Sequence, residues 1–247
     1  MSGPWKTAWI TGASSGIGRE LALKLARDGV RVAASARSAE RLDELAREQP
    51  GVLAVPVDVT DRVAVAAAYR HILETIGSVD LAVLNAGVWH PMVASAYDAE
   101  RAAQSMSVNY LGIANALEPV IPSMIAAGKG DLALVASVAG YRGLPKAAAY
   151  APTKAAVISL AEILRLELSQ HGITVTLVNP GFVETPMTAV NEFPMPYMIK
   201  AEDAAERILK GLARGKFEIA FPWQLVTMLK LLRLMPNSLY LRLASRL

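Results

Sequence analysis

Thr7-Ala8-Trp9-Ile10-Thr11-Gly12-Ala13-Ser14-Ser15-Gly16-Ile17-Gly18 decides how this chain folds. Thr7–Thr11 is a short apolar run that stops at a glycine, the pattern of a buried strand. Arg19 to Asp28 follows with the character of a helix and ends at Gly29, where a glycine C′ residue is expected. Strand, glycine turn and helix in that order form a phosphate-binding opening. Glycines let the backbone approach a pyrophosphate, and the helix start offers free N–H groups and the positive end of its dipole. Gly12, Ser14, Ser15, Gly16, Ile17 and Gly18 are thus expected to cradle a dinucleotide. Their spacing is G-x-x-x-G-x-G, not the commoner G-x-G-x-x-G.

Outward from that turn, strands and helices alternate. Val30–Ser35 reads as the second strand. Sites that prefer NAD usually carry an acid near its end, on the ribose 2′-OH. Here Ala36 and Arg37 stand there. A guanidinium attracts a 2′-phosphate and can bind it bidentately. Arg37 is therefore expected to select NADP(H) over NAD(H), with Ser35 as a helper. The competing reading is a solvated arginine heading the helix Ala39–Glu48. Val52–Val57 gives the third strand and ends in Asp58-Val59. Asp58 would accept a bond from an adenine amino group or cap the helix beginning near Asp61. Val79–Leu84 gives the fourth strand, after the helix Val63–Ile76. It ends in Asn85-Ala86-Gly87, small residues that permit close approach to a ribose.

The second half holds the reactive groups. Leu132–Ala136 is the fifth strand, and it leaves Ser137 on the cofactor edge of the sheet. Tyr150 and Lys154 are four apart, one turn from each other on a helix. A phenol holds its proton to about pH 10, and a cation one turn away lowers that value. Tyr150 would then serve as a general acid near neutral pH. Pro152 lies between them and is tolerated only in a first helical turn. Tyr150 should therefore sit at or just before the start of the helix that runs to Gln170. Asn109 falls inside the helix Ala99 to Leu117, a mildly unfavourable place, so it is a surface residue or is held for a reason. Ile173–Val178 is apolar throughout, as for a strand covered on both faces.

Jointly these residues resemble the short-chain dehydrogenase/reductase family, in its subgroup with the T-G-x-x-x-G-x-G opening. The matches are Thr11-Gly12, Gly16-Ile17-Gly18, Asp58-Val59, Asn85-Ala86-Gly87, Asn109, Ser137, Tyr150 with Lys154, Asn179-Pro180-Gly181 and Thr185, in the family's order. The resemblance implies a Rossmann-type, doubly wound parallel α/β sheet of about seven strands. It implies that Ser137 bonds the substrate carbonyl and that Tyr150 protonates its oxygen as hydride arrives from the nicotinamide. Lys154 would bond the ribose hydroxyls and lower the Tyr150 pKa. Asn109 would kink its helix and anchor a water that joins Lys154 to solvent. Pro180 and Gly181 would pass the nicotinamide, with Val183 and Thr185 holding its carboxamide. A homodimer or homotetramer, built on the helices beginning near Ala99 and Tyr150, is implied as well.

The 247 residues suit one α/β domain. Charged residues make up 19% and hydrophobic ones 53%, where roughly 25% charged is usual. The excess of apolar surface points to self-association or a membrane face. A net charge of +3, spread along the chain, leaves no basic stripe for nucleic acid. The absence of cysteine excludes thiolate sites and fits the cytoplasm. His71, His90 and His171 are too scattered for a metal centre, and no signal peptide is visible.

Residues 186–200 contain three prolines and three methionines and read as a substrate lid. Methionine adapts its shape, so the pocket is expected to be apolar and tolerant, rimmed by Trp89, His90 and Tyr141, with His90 a bystander. In residues 222–247, Thr227, Lys230 and Arg233 recur every third position, so a narrow polar face backs a wide apolar one. The charges from Leu225 onward are Lys230, Arg233, Arg242 and Arg246, with no acid. Such helices would pack on a partner subunit, cover the substrate mouth or lie on an anionic bilayer. The expected activity is NADP(H)-dependent interconversion of an apolar ketone or aldehyde and its alcohol. A non-catalytic nucleotide sensor or scaffold is the alternative, and the intact Asn109, Ser137, Tyr150 and Lys154 speak against it.

Overall fold

The computed structural model describes residues 3–244; Arg246, one of the tail cations named above, lies outside them. The chain runs β1 (Thr7–Thr11), α1 (Gly16–Arg27), β2 (Arg31–Ser35), α2 (Ala39–Glu48), β3 (Val52–Ala54), α3 (Arg62–Ile76) and β4 (Leu81–Leu84). It continues through α4 (Ala99–Met106), a π-helical turn (Ser107–Leu111), α5 (Gly112–Ala127), β5 (Gly130–Val135), α6 (Ala151–Leu168) and β6 (Ile173–Pro180). The last part holds β7 (Val183–Glu184), β8 (Ile199–Lys200), α7 (Ala201–Leu212), β9 (Glu218–Phe221), α8 (Trp223–Leu234) and α9 (Asn237–Ala244).

Seven strands pair in parallel in the order β3-β2-β1-β4-β5-β6-β9. Side chains alternate across a strand, and β1 shows what that achieves. Trp9 points into the layer formed by α3, α5, α6 and α8, whereas Ala8 and Ile10 point into the layer of α1, α2 and α7. Both faces of the sheet are thus covered, which is why its strands read as unbroken apolar runs. Strand order reverses between β1 and β4, and the crevice past their carboxyl ends is where ligands bind in such sheets.

The helix expected to end at Leu117 runs ten residues further, to Ala127, through Pro119 and Pro122. Both prolines lie away from the buried face, so the carbonyls they leave without helical partners can be hydrated. The stretch Ala99–Ala127 is long and apolar enough to cross a bilayer. Its Ile113, Ala116, Val120 and Met124 are instead buried against the sheet. The expected lid has no regular structure between β7 and β8, and the parallel pairing of those two strands pins its ends together.

Candidate active site

The switch point is built by small residues that bring backbones close together. Gly12 and Gly16 have φ of +69° and +54°, a region open chiefly to glycine. A Cβ on Gly12 would lie 2.8 Å from Ala86 Cα, and one on Gly16 would lie 2.8 Å from Thr185 Cγ2. Thr11 Oγ1 accepts from the backbone N–H groups of Asn85 and Ala86 at 3.0 and 3.1 Å. Asn85 Nδ2 donates to the carbonyls of Thr11 and Gly12 at 3.1 and 3.2 Å. These bonds staple the ends of β1 and β4. They also mean that the Asn85 side chain positions the glycine turn. The start of α1 has no side-chain cap from Ser15, so its N–H groups remain for an anion.

One cavity of about 670 Å³ extends from this turn along the carboxyl edge of the sheet. Of the residues expected to hold cofactor, Gly12, Ser14, Ser15, Gly16, Ile17, Arg37, Asp58 and Val59 line it, as do Asn85, Ala86 and Gly87. Ser137, Tyr150, Lys154, Pro180, Gly181, Val183 and Thr185 line its other part. Gly18, Ser35 and Asn109 are not among its lining residues. A Cβ on Gly18 would collide with the Gly12 carbonyl and the Asn85 side chain, so Gly18 allows α1 to pack closely on the turn. Ser35 corrects the expectation of a helper to Arg37. It is fully buried, and its Oγ accepts from Trp9 Nε1 at 2.9 Å. Ser38 and Arg41, on the cavity side of the β2–α2 junction, stand nearer to that task. A second cation in the first turn of α2 was the signal for Arg41. Asp58 does not cap α3; Asp61 does, accepting from Ala64 N–H at 2.9 Å. Asp58 Oδ1 accepts from the Thr60 N–H and hydroxyl instead.

Tyr150 is the N-cap residue of α6, with Pro152 in the first turn, where its missing N–H costs nothing. Lys154 is 3% exposed and donates from Nζ to the Val135 carbonyl at 2.9 Å. Its Nζ stands 5.6 Å from the centre of the Tyr150 ring. Burial disfavours charge on both groups. The Lys154 pKa is pushed down to about 8. The Tyr150 pKa is pushed up to about 12 by burial, with a hydrogen bond to Ser137 opposing the shift. The lowering of the phenol expected from Lys154 is not seen here: desolvation sets the direction of the shift, and Ser137 is the group that opposes it. Ser137 Oγ accepts from the Ala139 N–H at 3.1 Å and donates to the Pro180 carbonyl at 3.3 Å.

Asn109 is fully buried in the π-helical turn, so its helix is irregular where a kink was expected. Its Oδ1 accepts from the Val88 N–H at 2.7 Å. Its Nδ2 donates to the Val88 carbonyl at 3.0 Å and to Thr153 Oγ1 at 3.1 Å. The carboxamide thus ties the loop after β4 to α6, beside Lys154, and any water held here would use backbone groups that the π turn frees.

The rest of the cavity is mostly apolar, with Leu144, Phe182, Met187, Phe193, Leu225, Met228 and Leu229, and with Thr188 and Asn191 of the lid as polar members. Trp89 lies on it, with its ring edge-on to Tyr150 at 5.0 Å, and its Nε1 donates to Asn191 Oδ1 of the lid at 2.8 Å. His90 and Tyr141 do not line it. His90 Nδ1 is 3.0 Å from Ser105 Oγ. Tyr141 is buried against Glu218, and burial together with that carboxylate holds its pKa far above the usual tyrosine range. The three residues from α8 were not foreseen individually, because nothing in a local pattern says which distant helix closes a pocket.

The family described as short chain dehydrogenase matches residues 6–193. The chain belongs to that family. An uncharacterised oxidoreductase of Myxococcus xanthus is 42% identical over 98% of each chain, and one of Staphylococcus haemolyticus is 33% identical over 85% of this chain and 91% of its own. Among solved structures, a 3-ketoacyl-(acyl-carrier-protein) reductase of Brucella melitensis complexed with NADH is 30% identical, with a TM-score of 0.81 over 87% of this chain and 96% of its own. A short-chain dehydrogenase/reductase of Burkholderia phymatum in complex with NAD is 27% identical, with a TM-score of 0.85 over 94% of each chain. This short-chain dehydrogenase is therefore an oxidoreductase whose fold binds a nicotinamide dinucleotide. The geometry fits that group. The glycine turn and uncapped α1 would take the pyrophosphate, and Gly87, where a Cβ would sit 3.3 Å from Asn109 Oδ1, leaves room for a ribose beside Lys154.

Proposed function

We propose that this enzyme is an NADP(H)-dependent reductase of apolar ketones or aldehydes, run in reverse as an alcohol dehydrogenase. One observation carries the reading: Ser137, Tyr150 and Lys154 meet on one side of a cavity whose remaining wall is mostly apolar and whose far end presents Arg37 and Arg41. When bound, the nicotinamide supplies or accepts the hydride. Ser137, held by the Ala139 N–H, turns its hydroxyl toward the substrate carbonyl oxygen. Tyr150 gives its proton to that oxygen as the carbon gains hydride. A phenol with its pKa near 12 stays protonated at neutral pH and is set for reduction. Lys154 holds the ribose hydroxyls and, when protonated, eases loss of the Tyr150 proton. Apolar walls exclude water from the reacting carbon.

Support for NADP(H) comes from the two guanidinium groups beside Ser38 at the end of β2, with no acid between Ser35 and Ala39. The second reading, NAD(H), draws on the relatives solved with NADH and NAD. A homodimer or homotetramer is the proposed assembly, through α4, α5 and α6, where Leu111, Ile125, Ile163 and Leu166 are exposed. A cytoplasmic location accords with a sequence free of cysteine. The test is NADPH oxidation across a panel of ketones of rising hydrophobicity. Turnover that rises with apolar chain length is expected; no ketone-dependent oxidation of either NADPH or NADH would overturn the reading.

A further inference from the structure

α8 carries apolar side chains on two opposite sides. Leu225, Val226 and Leu229 turn inward and are buried. At about 100° per residue, Trp223, Leu231 and Leu234 share an arc roughly opposite with the exposed Thr227 and Lys230, and the three apolar residues are 70%, 61% and 81% exposed. Met228 belongs to both settings: it lines the cavity and is half exposed. α9 adds exposed Leu239 and Leu243 on one flank of its buried Tyr240 and exposed Leu241 on the other. Scattered exposed leucines are ordinary, but a run of them on two successive short helices is not.

This face is held in shape. Arg142 donates to Asn237 Oδ1 at 2.7 Å and lies 4.3 Å from the centre of the Tyr240 ring. Tyr240 is buried, and its hydroxyl donates to the Gly143 carbonyl. These contacts fix α9 and leave its leucines outside. The lid rims the same cavity and also turns Val190, Tyr197 and Met198 outward.

We infer that the outer face of α8 and α9 docks on an anionic phospholipid surface. Charge separates this occupant from a second copy. Residues 222–244 contain Lys230, Arg233 and Arg242 and no acid, and Glu218, from β9, pairs with Lys230. A two-fold contact would set this face against itself and bring like charges together. A bilayer offers anionic headgroups to the cations and acyl chains to Trp223, Leu231 and Leu234, the division found in helices that lie in the interface plane. The cavity mouth at Met228 would then open beside the lipid. The inference rests on this surface and not on the reductase reading.

The test is flotation of the full chain with phosphatidylcholine/phosphatidylglycerol vesicles and with pure phosphatidylcholine. The wild type is expected to float with the anionic vesicles, and Leu231→Glu/Leu234→Glu to lose binding by about tenfold or more, with NADPH affinity unchanged. No flotation of the wild type, equal flotation on pure phosphatidylcholine, or full binding by the double variant overturns the inference. Light scattering coupled to gel filtration decides the rival. If the double variant instead breaks an oligomer that does not bind vesicles, the face is a subunit contact.

Discussion

The cofactor end and the substrate end of this cavity are built in opposite ways. At the first, backbones touch: Gly12 against Ala86, Gly16 against Thr185, Gly18 under the Gly12 carbonyl, with Thr11 and Asn85 stapling two strand ends. At the second, adaptable side chains such as Met187, Phe193 and Met228 surround open space, and few hydrogen bonds fix them. A site made of backbone approaches tolerates almost no added atom. A site made of methionines and leucines tolerates many, because such side chains repack at low cost. The first design suits a ligand whose shape never varies; the second suits a class of substrates.

The largest effect expected is at the junction of the two ends. Tyr150→Phe removes only the transferable proton, and kcat should fall by about 10³-fold while NADPH still binds within about twofold of wild type. Retained turnover would remove Tyr150 from the acid role. Next in size, Gly18→Ala should cost about 2 kcal/mol by overpacking, read as a Tm drop of roughly 6 °C, whereas Val190→Ala in the exposed lid should stay within about 0.5 kcal/mol. Equal losses in thermal melts would erase the contrast between the ends. Asn191→Ala removes the acceptor for Trp89 Nε1. A bond of about 1 kcal/mol predicts a KM for ketone raised about fivefold with kcat nearly constant; a kcat effect alone would show that the lid bond serves the chemical step.

The smallest effect is the dependence on pH. Lys154 is protonated below about pH 8, so NADPH affinity should weaken as pH rises through that value. The limb should vanish in Lys154→Met. Stability has the opposite sign. Between the folded value of about 8 and the unfolded value near 10.4, the unfolded chain binds more protons, so this group makes the fold more stable as pH rises. Tyr150, raised to about 12, contributes stability below pH 10 or so that is lost as pH climbs toward 12.

The same contrast explains what could be read from the sequence. Gly12, Gly16, Asn85 and Gly87 are dictated by backbone geometry that any such turn requires, so their residue types announce them. Tyr150 and Pro152 likewise announced a helix start. Ser35 misled because strand alternation sent it inward to Trp9, leaving Ser38 and Arg41 at the cavity. The sign of the Tyr150 shift was hidden for a different reason: spacing reveals a neighbouring cation but not how far both groups are desolvated. Leu225, Met228 and Leu229 were legible as an apolar helix face, yet their place over the pocket depends on long-range packing. Two prolines inside α5 hid its true length.

The most direct test of the central claim is the affinity of NADPH and NADH, followed by tryptophan quenching, for wild type and Arg37→Ala. Trp89 on the cavity wall gives a local reporter. The account predicts NADPH binding at least about tenfold tighter than NADH, about 1.4 kcal/mol, and a gap that closes in Arg37→Ala. NADH binding as tightly as NADPH to the wild type would contradict it and make this an NAD(H) enzyme.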